Sequence, residues 1–105
     1  MNEDKRLINI LSMAQRAGKV VSGSFLINEA IKKNNVYFLI IASDIEENSY
    51  KNLSEAAVKN NIPFKVTLDK ISLGETIGKE YRAAAAITDK GFAKAVQKIY
   101  DNESK

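Results

Sequence analysis

Val36-Tyr-Phe-Leu-Ile-Ile-Ala42 is the stretch on which the fold turns. It is continuously apolar, rich in β-branched and aromatic residues, and bounded by Asn34-Asn35 and Ser43-Asp44. A run of this kind predicts a strand buried on both faces, which requires other elements above and below it. It falls far short of the ~20 residues that a membrane span requires. No longer apolar run occurs in the chain.

Toward the amino terminus, Leu7, Ile8, Leu11, Ala14 and Ala17 recur at helical spacing, and Gly18 is placed to end that helix. Val20-Val21 reads as a short strand. Gly23 and Ser24 follow as a turn and N-cap for a second helix, whose inner face carries Ile27, Ala30 and Ile31. Lys32 and Lys33 suit the negative end of that helix, and Asn34-Asn35 can take a left-handed exit.

Toward the carboxyl terminus, a third helix is expected from about Ser49 to Lys59, inward on Tyr50, Leu53 and Ala57. Pro63 opens a strand in which Phe64, Val66 and Leu68 alternate with polar neighbours. Ser72-Leu-Gly-Glu75 has the spacing of a capping box and predicts a short helix. Four consecutive alanines favour helix by propensity. Ala83 to Thr88 is nevertheless read as a strand, because Ile87-Thr88-Asp89 then forms a strand end followed by a helix cap. The final helix turns Phe92, Val96 and Ile99 inward. Strands alternating with helices indicate an α/β layered sandwich around a mixed, largely buried sheet of about four strands. The length suits one domain, residues 1–101, with a short polar tail at 102–105.

Composition narrows the chemistry. Cysteine and histidine are both absent, which removes disulfides, thiolate or imidazole metal ligands, and triads built on histidine. No enzyme, cofactor or metal site is expected. Sixteen Lys and Arg stand against 13 Asp and Glu, for a net charge of +3. That excess permits contact with phosphates without demanding it. The first residues lack the basic-then-apolar order of a secretory signal. The expectation is therefore a cytoplasmic protein with no membrane partner.

Three clusters merit chemical readings. Asp44, Glu46 and Glu47 follow the buried strand, where α/β folds hold ions or sugars. Their simpler role is to complement the positive end of the helix beginning near Ser49. Gly74 and Gly78 lack the Lys-Ser or Lys-Thr pair of a phosphate loop, and read instead as close helix packing. Val21-Ser-Gly-Ser24 and Asp69-Lys-Ile-Ser72 each open a helix and offer unpaired N–H groups to a phosphate. If both lie at one edge of the sheet, Arg16, Lys19, Lys33 and Lys70 could surround them, with Phe25 and Ile71 offering apolar surface to an unstacked base. The alternative is that these lysines solvate the rim and the helix starts are merely capped.

Ala42-Ser-Asp44, Ile62-Pro-Phe64, Leu73-Gly-x-x-x-Gly78 and Ile87-Thr88-Asp89, with Gly23 heading the second helix, resemble the ribosomal L-seven-Ae / L-thirty-e superfamily in order and spacing. Ala14-Gln-Arg-Ala-Gly-Lys19, Ser22-Gly23, Ile77-Gly-Lys79, Arg82 and Thr88-Asp-Lys-Gly-Phe-Ala93 are similar to its small bacterial YlxQ-type branch. The resemblance covers nearly the whole chain. It implies a three-layer α/β/α sandwich and binding to kink-turn RNA, a helix–internal loop–helix with tandem sheared G·A pairs. It further implies ribosomal RNA as ligand, the ribosome or its proteins as further partners, and a monomer. Carried over, the loop that enters the RNA groove corresponds to Ser22, Gly23, Ser24, Phe25 and Leu26, with Glu29 and Lys33. The loop that packs on an extruded nucleotide corresponds to Asp69, Lys70, Ile71 and Ser72.

The chain departs from that pattern where the family carries Asn, Glu and Lys: here stand Phe25, Leu26 and Glu29. Asn and Glu can hydrogen-bond guanine edges, and Phe and Leu cannot. The alternative function is a protein–protein module on the same fold that has lost specific RNA binding, with Phe25 and Leu26 as its anchor.

Overall fold

The structure, a computed structural model, describes residues 3–103. Helix α1 (Glu3–Arg16) leads into strand β1 (Val20–Ser22) through Gly18, whose φ of +74° suits glycine. Helix α2 (Ser24–Lys32), strand β2 (Phe38–Ile41), helix α3 (Glu47–Lys59) and strand β3 (Phe64–Val66) follow. Helix α4 (Lys70–Thr76), strand β4 (Ala84–Ile87) and helix α5 (Lys90–Glu103) complete the order. The last two residues of the expected polar tail lie outside the described residues.

The strands form one mixed sheet in the order β1-β4-β2-β3. β2 pairs with β3 in parallel, and β4 runs antiparallel to both β1 and β2. The apolar run at 36–42 therefore occupies the interior of the sheet, and its residues alternate between two cores. Phe38 and Ile40 join Leu7, Leu11, Leu73, Val96 and Ile99 on the side of α1, α4 and α5. Leu39 and Ile41 join Ile27, Ile31, Leu53 and Ala57 on the side of α2 and α3. β4 is divided in the same way, with Ala85 and Ile87 on the first face and Ala84 and Ala86 on the second. This is the three-layer α/β/α sandwich. The alanines form a strand because β4 is paired on both sides, by β1 and by β2, and these ladders override helical propensity.

Several local expectations are corrected. Gly23, not Ser24, is the N-cap of α2, since its φ of +90° is a conformation that glycine adopts without strain. Helix α4 starts three residues earlier than the capping box implied: Asp69 is the cap and accepts the Ser72 N–H. Tyr50 is exposed rather than inward, because it overhangs the short edge strand and lines a groove with Ser54, Val58 and Phe64. The alternation at 64–68 also fails. Val66 is exposed on that edge, and Leu68, past the strand end with φ +60°, turns into the opposite core.

Candidate functional site

Strands β1, β2 and β3 run in one direction, so the starts of α2, α3 and α4 all gather at the same edge of the sheet. Arg82, in the segment returning to β4, ties two of these starts together. Its N–H donates to the Lys70 carbonyl at 3.0 Å. Its Nε donates to Ser22 Oγ at 3.1 Å, and its Nη1 to the Tyr81 carbonyl at 2.7 Å. Ser22, which immediately precedes the α2 cap, is thereby held beside the first residue of α4. Sequence reasoning did not assign Arg82 to the site. Its signals were its place among the residues that carry the family resemblance and its position directly before an all-apolar strand.

The two helix starts are electrostatically different. At α2 the Gly23 cap has no side chain, and the first turn holds no acidic residue. Among the described residues, the N–H groups of Ser24, Phe25 and Leu26 find no acceptor. The positive end of α2 is therefore open to an anion. At α4 the Lys70 N–H donates to Asp44 Oδ1 at 2.9 Å, and the Ser72 N–H to Asp69 Oδ1 at 2.7 Å. The Ser72 backbone and side-chain hydrogen bonds hold the Asp69 carboxyl below its ordinary range. Two carboxylates thus occupy the Lys70 and Ser72 donors, two of the groups expected to face a phosphate. One helix start is available, and the other is closed. Asp44 consequently serves α4, not the helix near Ser49, while Glu46 and Glu47 remain at the start of α3.

Bare apolar side chains surround this edge. Phe25 is 75% exposed, Leu26 52%, Ile71 61% and Tyr81 60%. Exposure on this scale rules out a core role for Phe25 and Leu26. The structure therefore brings together Ser22, Gly23, Ser24, Phe25, Leu26, Asp69, Lys70, Ile71 and Ser72. Glu29 lies one turn further along α2, 3.6 Å from Lys32. Lys33 caps the far end of that helix, about 13 Å away at 1.5 Å per residue. Arg16 and Lys19 also stand at the opposite edge: Arg16 donates to Ser12 Oγ, and the Lys19 carbonyl receives the Thr88 N–H. Those cations do not surround the two helix starts as the sequence reading supposed.

Among the described residues, no cluster of carboxylates is placed to hold a metal ion, and no helix is long and apolar enough to cross a membrane. The edge offers free hydrogen-bond donors and a helix dipole at α2, flat exposed apolar surface, and the carboxylates of Asp44 and Asp69 at α4. The molecule is thus a small α/β/α sandwich with one open helix start flanked by exposed apolar side chains. The chain belongs to the ribosomal protein L7Ae/L30e/S12e/Gadd45 family, whose model matches residues 5–97.

The RNA-binding protein YlxQ of Bacillus subtilis (strain 168) is 33% identical over 92 residues, spanning 88% of this chain and 92% of its own length. The RNA-binding protein YlxQ of Enterococcus faecium is 28% identical over 103 residues, or 96% and 99% of the two chains. Among solved structures, a protein of unknown function from Bacillus halodurans C superposes with a TM-score of 0.87 at 27% identity, over 91% of this chain and 97% of that one. The 15.5kD RNA binding protein of Giardia lamblia gives 0.80 at 16% identity, over 95% and 86%. The last similarity supports the fold alone.

Proposed function

We propose that this chain is a non-catalytic RNA-binding protein that acts as a cytoplasmic monomer on folded, kink-turn-like RNA, with ribosomal RNA as its principal ligand. The observation that carries the reading is the open start of α2, held by Arg82 against a second loop that bears Ile71. The free N–H groups and dipole of α2 hold a phosphate or a base-edge acceptor. Gly23 lets the backbone approach closely, because a substituent there would project into open space toward the ligand. Phe25, Leu26, Ile71 and Tyr81 supply surfaces on which extruded bases stack, in keeping with how proteins recognise unpaired RNA. Stacking takes the place of the guanine-edge hydrogen bonds that Asn and Glu provide in relatives of the resemblance.

The family membership and the names of both YlxQ relatives support RNA over the protein-binding alternative. A kink-turn duplex is expected to bind more tightly than a perfect duplex of equal length, and Gly23→Val to weaken that preference. Gel-shift titration of both RNAs is the measurement. Equal affinity for the two would remove the shape-specific reading.

A further inference from the structure

The charges are divided between two ends of the molecule, and the division runs opposite to the edge just described. Around the starts of α3 and α4, Asp44, Glu46, Glu47 and Asp69 stand among Lys70 and Arg82. The other end gathers the last residues of α1, α2 and α3 and the beginnings of β1 and α5. It carries Arg16, Lys19, Lys33, Lys59, Lys90 and Lys94, all exposed. Of the acids nearby, Glu75 lines a groove with Arg16 and Glu55 one with Lys59, while two others are already engaged. Glu29 pairs with Lys32, and Asp89 accepts the Phe92 N–H as the cap of α5.

Helix electrostatics explains only some of these cations. Arg16, Lys33 and Lys59 sit at helix C-termini, where positive charge is favourable. Lys90 and Lys94 occupy the first two turns of α5, where the dipole opposes them, and no acid shares the first turn. Tyr37 lies between these lysines and the cleft lined by Asn34, Asn60 and Asn61. Its half-buried ring has the Lys90 ammonium 5.7 Å from its centre. Cations interleaved with an aromatic ring and amide donors are suited to a sugar–phosphate backbone.

We infer that this pole is a second RNA-contacting surface, which holds the phosphates of a segment other than the one at α2. It rests on RNA as the ligand class proposed above, and on different residues. The protein then joins two RNA segments across its 33 × 28 × 26 Å body.

The test compares wild type with Lys33→Gln/Lys90→Gln/Lys94→Gln and with Gly23→Val. The probes are a donor-labelled kink-turn duplex and an acceptor-labelled plain duplex. Wild type is expected to bring donor and acceptor together. The triple Gln variant keeps the kink-turn preference but loses energy transfer. Its log K for plain duplex falls less steeply with log salt, by about two to three units, as for the loss of three phosphate contacts. Its melting temperature stays near that of wild type, since the cation lost from the positive end of α5 offsets the one lost from the negative end of α2. Gly23→Val loses the kink-turn preference and keeps the plain-duplex attraction. A triple variant with wild-type salt slope and energy transfer overturns the inference and leaves the pole to an acidic protein partner. Loss of kink-turn preference in wild type, with the slope change intact, removes the earlier reading and leaves this one standing.

Discussion

Phe25 and Leu26 begin α2 with two exposed apolar side chains beside free N–H groups, and Glu29 follows one turn later in a surface ion pair with Lys32. None of the three contributes a core contact, so their replacement tests recognition rather than stability. The substitution Phe25→Asn/Leu26→Glu/Glu29→Lys introduces groups that pair with guanine edges and a phosphate. Each good base contact adds on the order of 1–3 kcal/mol of discrimination, so preference for a kink-turn over plain duplex should grow at least tenfold. The lost Glu29–Lys32 pair is exposed and costs about 0–1 kcal/mol. Paired melting curves and titrations check both statements. A folded triple variant with unchanged selectivity would place RNA recognition on another loop.

Helix α4 depends on close packing rather than on length. It spans only Lys70–Thr76, yet Leu73 and Ile77 are buried against the sheet. The returning segment crosses it so tightly that a Cβ on Gly74 would lie 2.4 Å from Tyr81 Cα and 2.7 Å from Tyr81 N. Backbone cannot yield as a flexible side chain does. Gly74→Ala should therefore destabilise the fold by about 1–3 kcal/mol, the usual range for overpacking. Gly78 does not share the packing role that its spacing from Gly74 predicts. Gly78 has φ +76° and open space where a Cβ would stand, so it is a turn residue. Gly78→Ala should cost less, about 1 kcal/mol of backbone strain. Urea denaturation of the two variants gives the order, and a larger loss at Gly78 would contradict the packing account.

At the level of the whole molecule, Arg82 decides whether two loops act as one edge. Its backbone bond to Lys70 survives any side-chain change, whereas the bonds to Ser22 and to the Tyr81 carbonyl and the positive charge do not. Arg82→Ala should cost about 1 kcal/mol of stability, the net worth of a hydrogen bond. It should weaken kink-turn binding about tenfold, because α2 and the Ile71 loop are no longer held in register. Wild-type affinity in a folded Arg82→Ala protein would show that the edge is rigid without it. Local pattern alone determined much of this protein. The apolar run at 36–42, the glycine at 18, the cap at Asp89 and the inner faces of four helices, Tyr50 of α3 excepted, follow from hydrogen-bonding geometry and periodicity over a few neighbouring residues. The site loops at 22–26 and 69–72 were legible because helix starts announce themselves in sequence. The closure of α4 by Asp44 and Asp69 was not, nor was the bridge from Arg82 to Ser22, residues 60 positions apart. Arg16, Lys19 and Lys33 appeared close to the reading loop in sequence and stand at the opposite pole in space. Strand order made that decision. Because β4 inserts between β1 and β2, and β1 to β3 share one direction, whatever precedes a strand and whatever follows it are sent to opposite ends of the molecule.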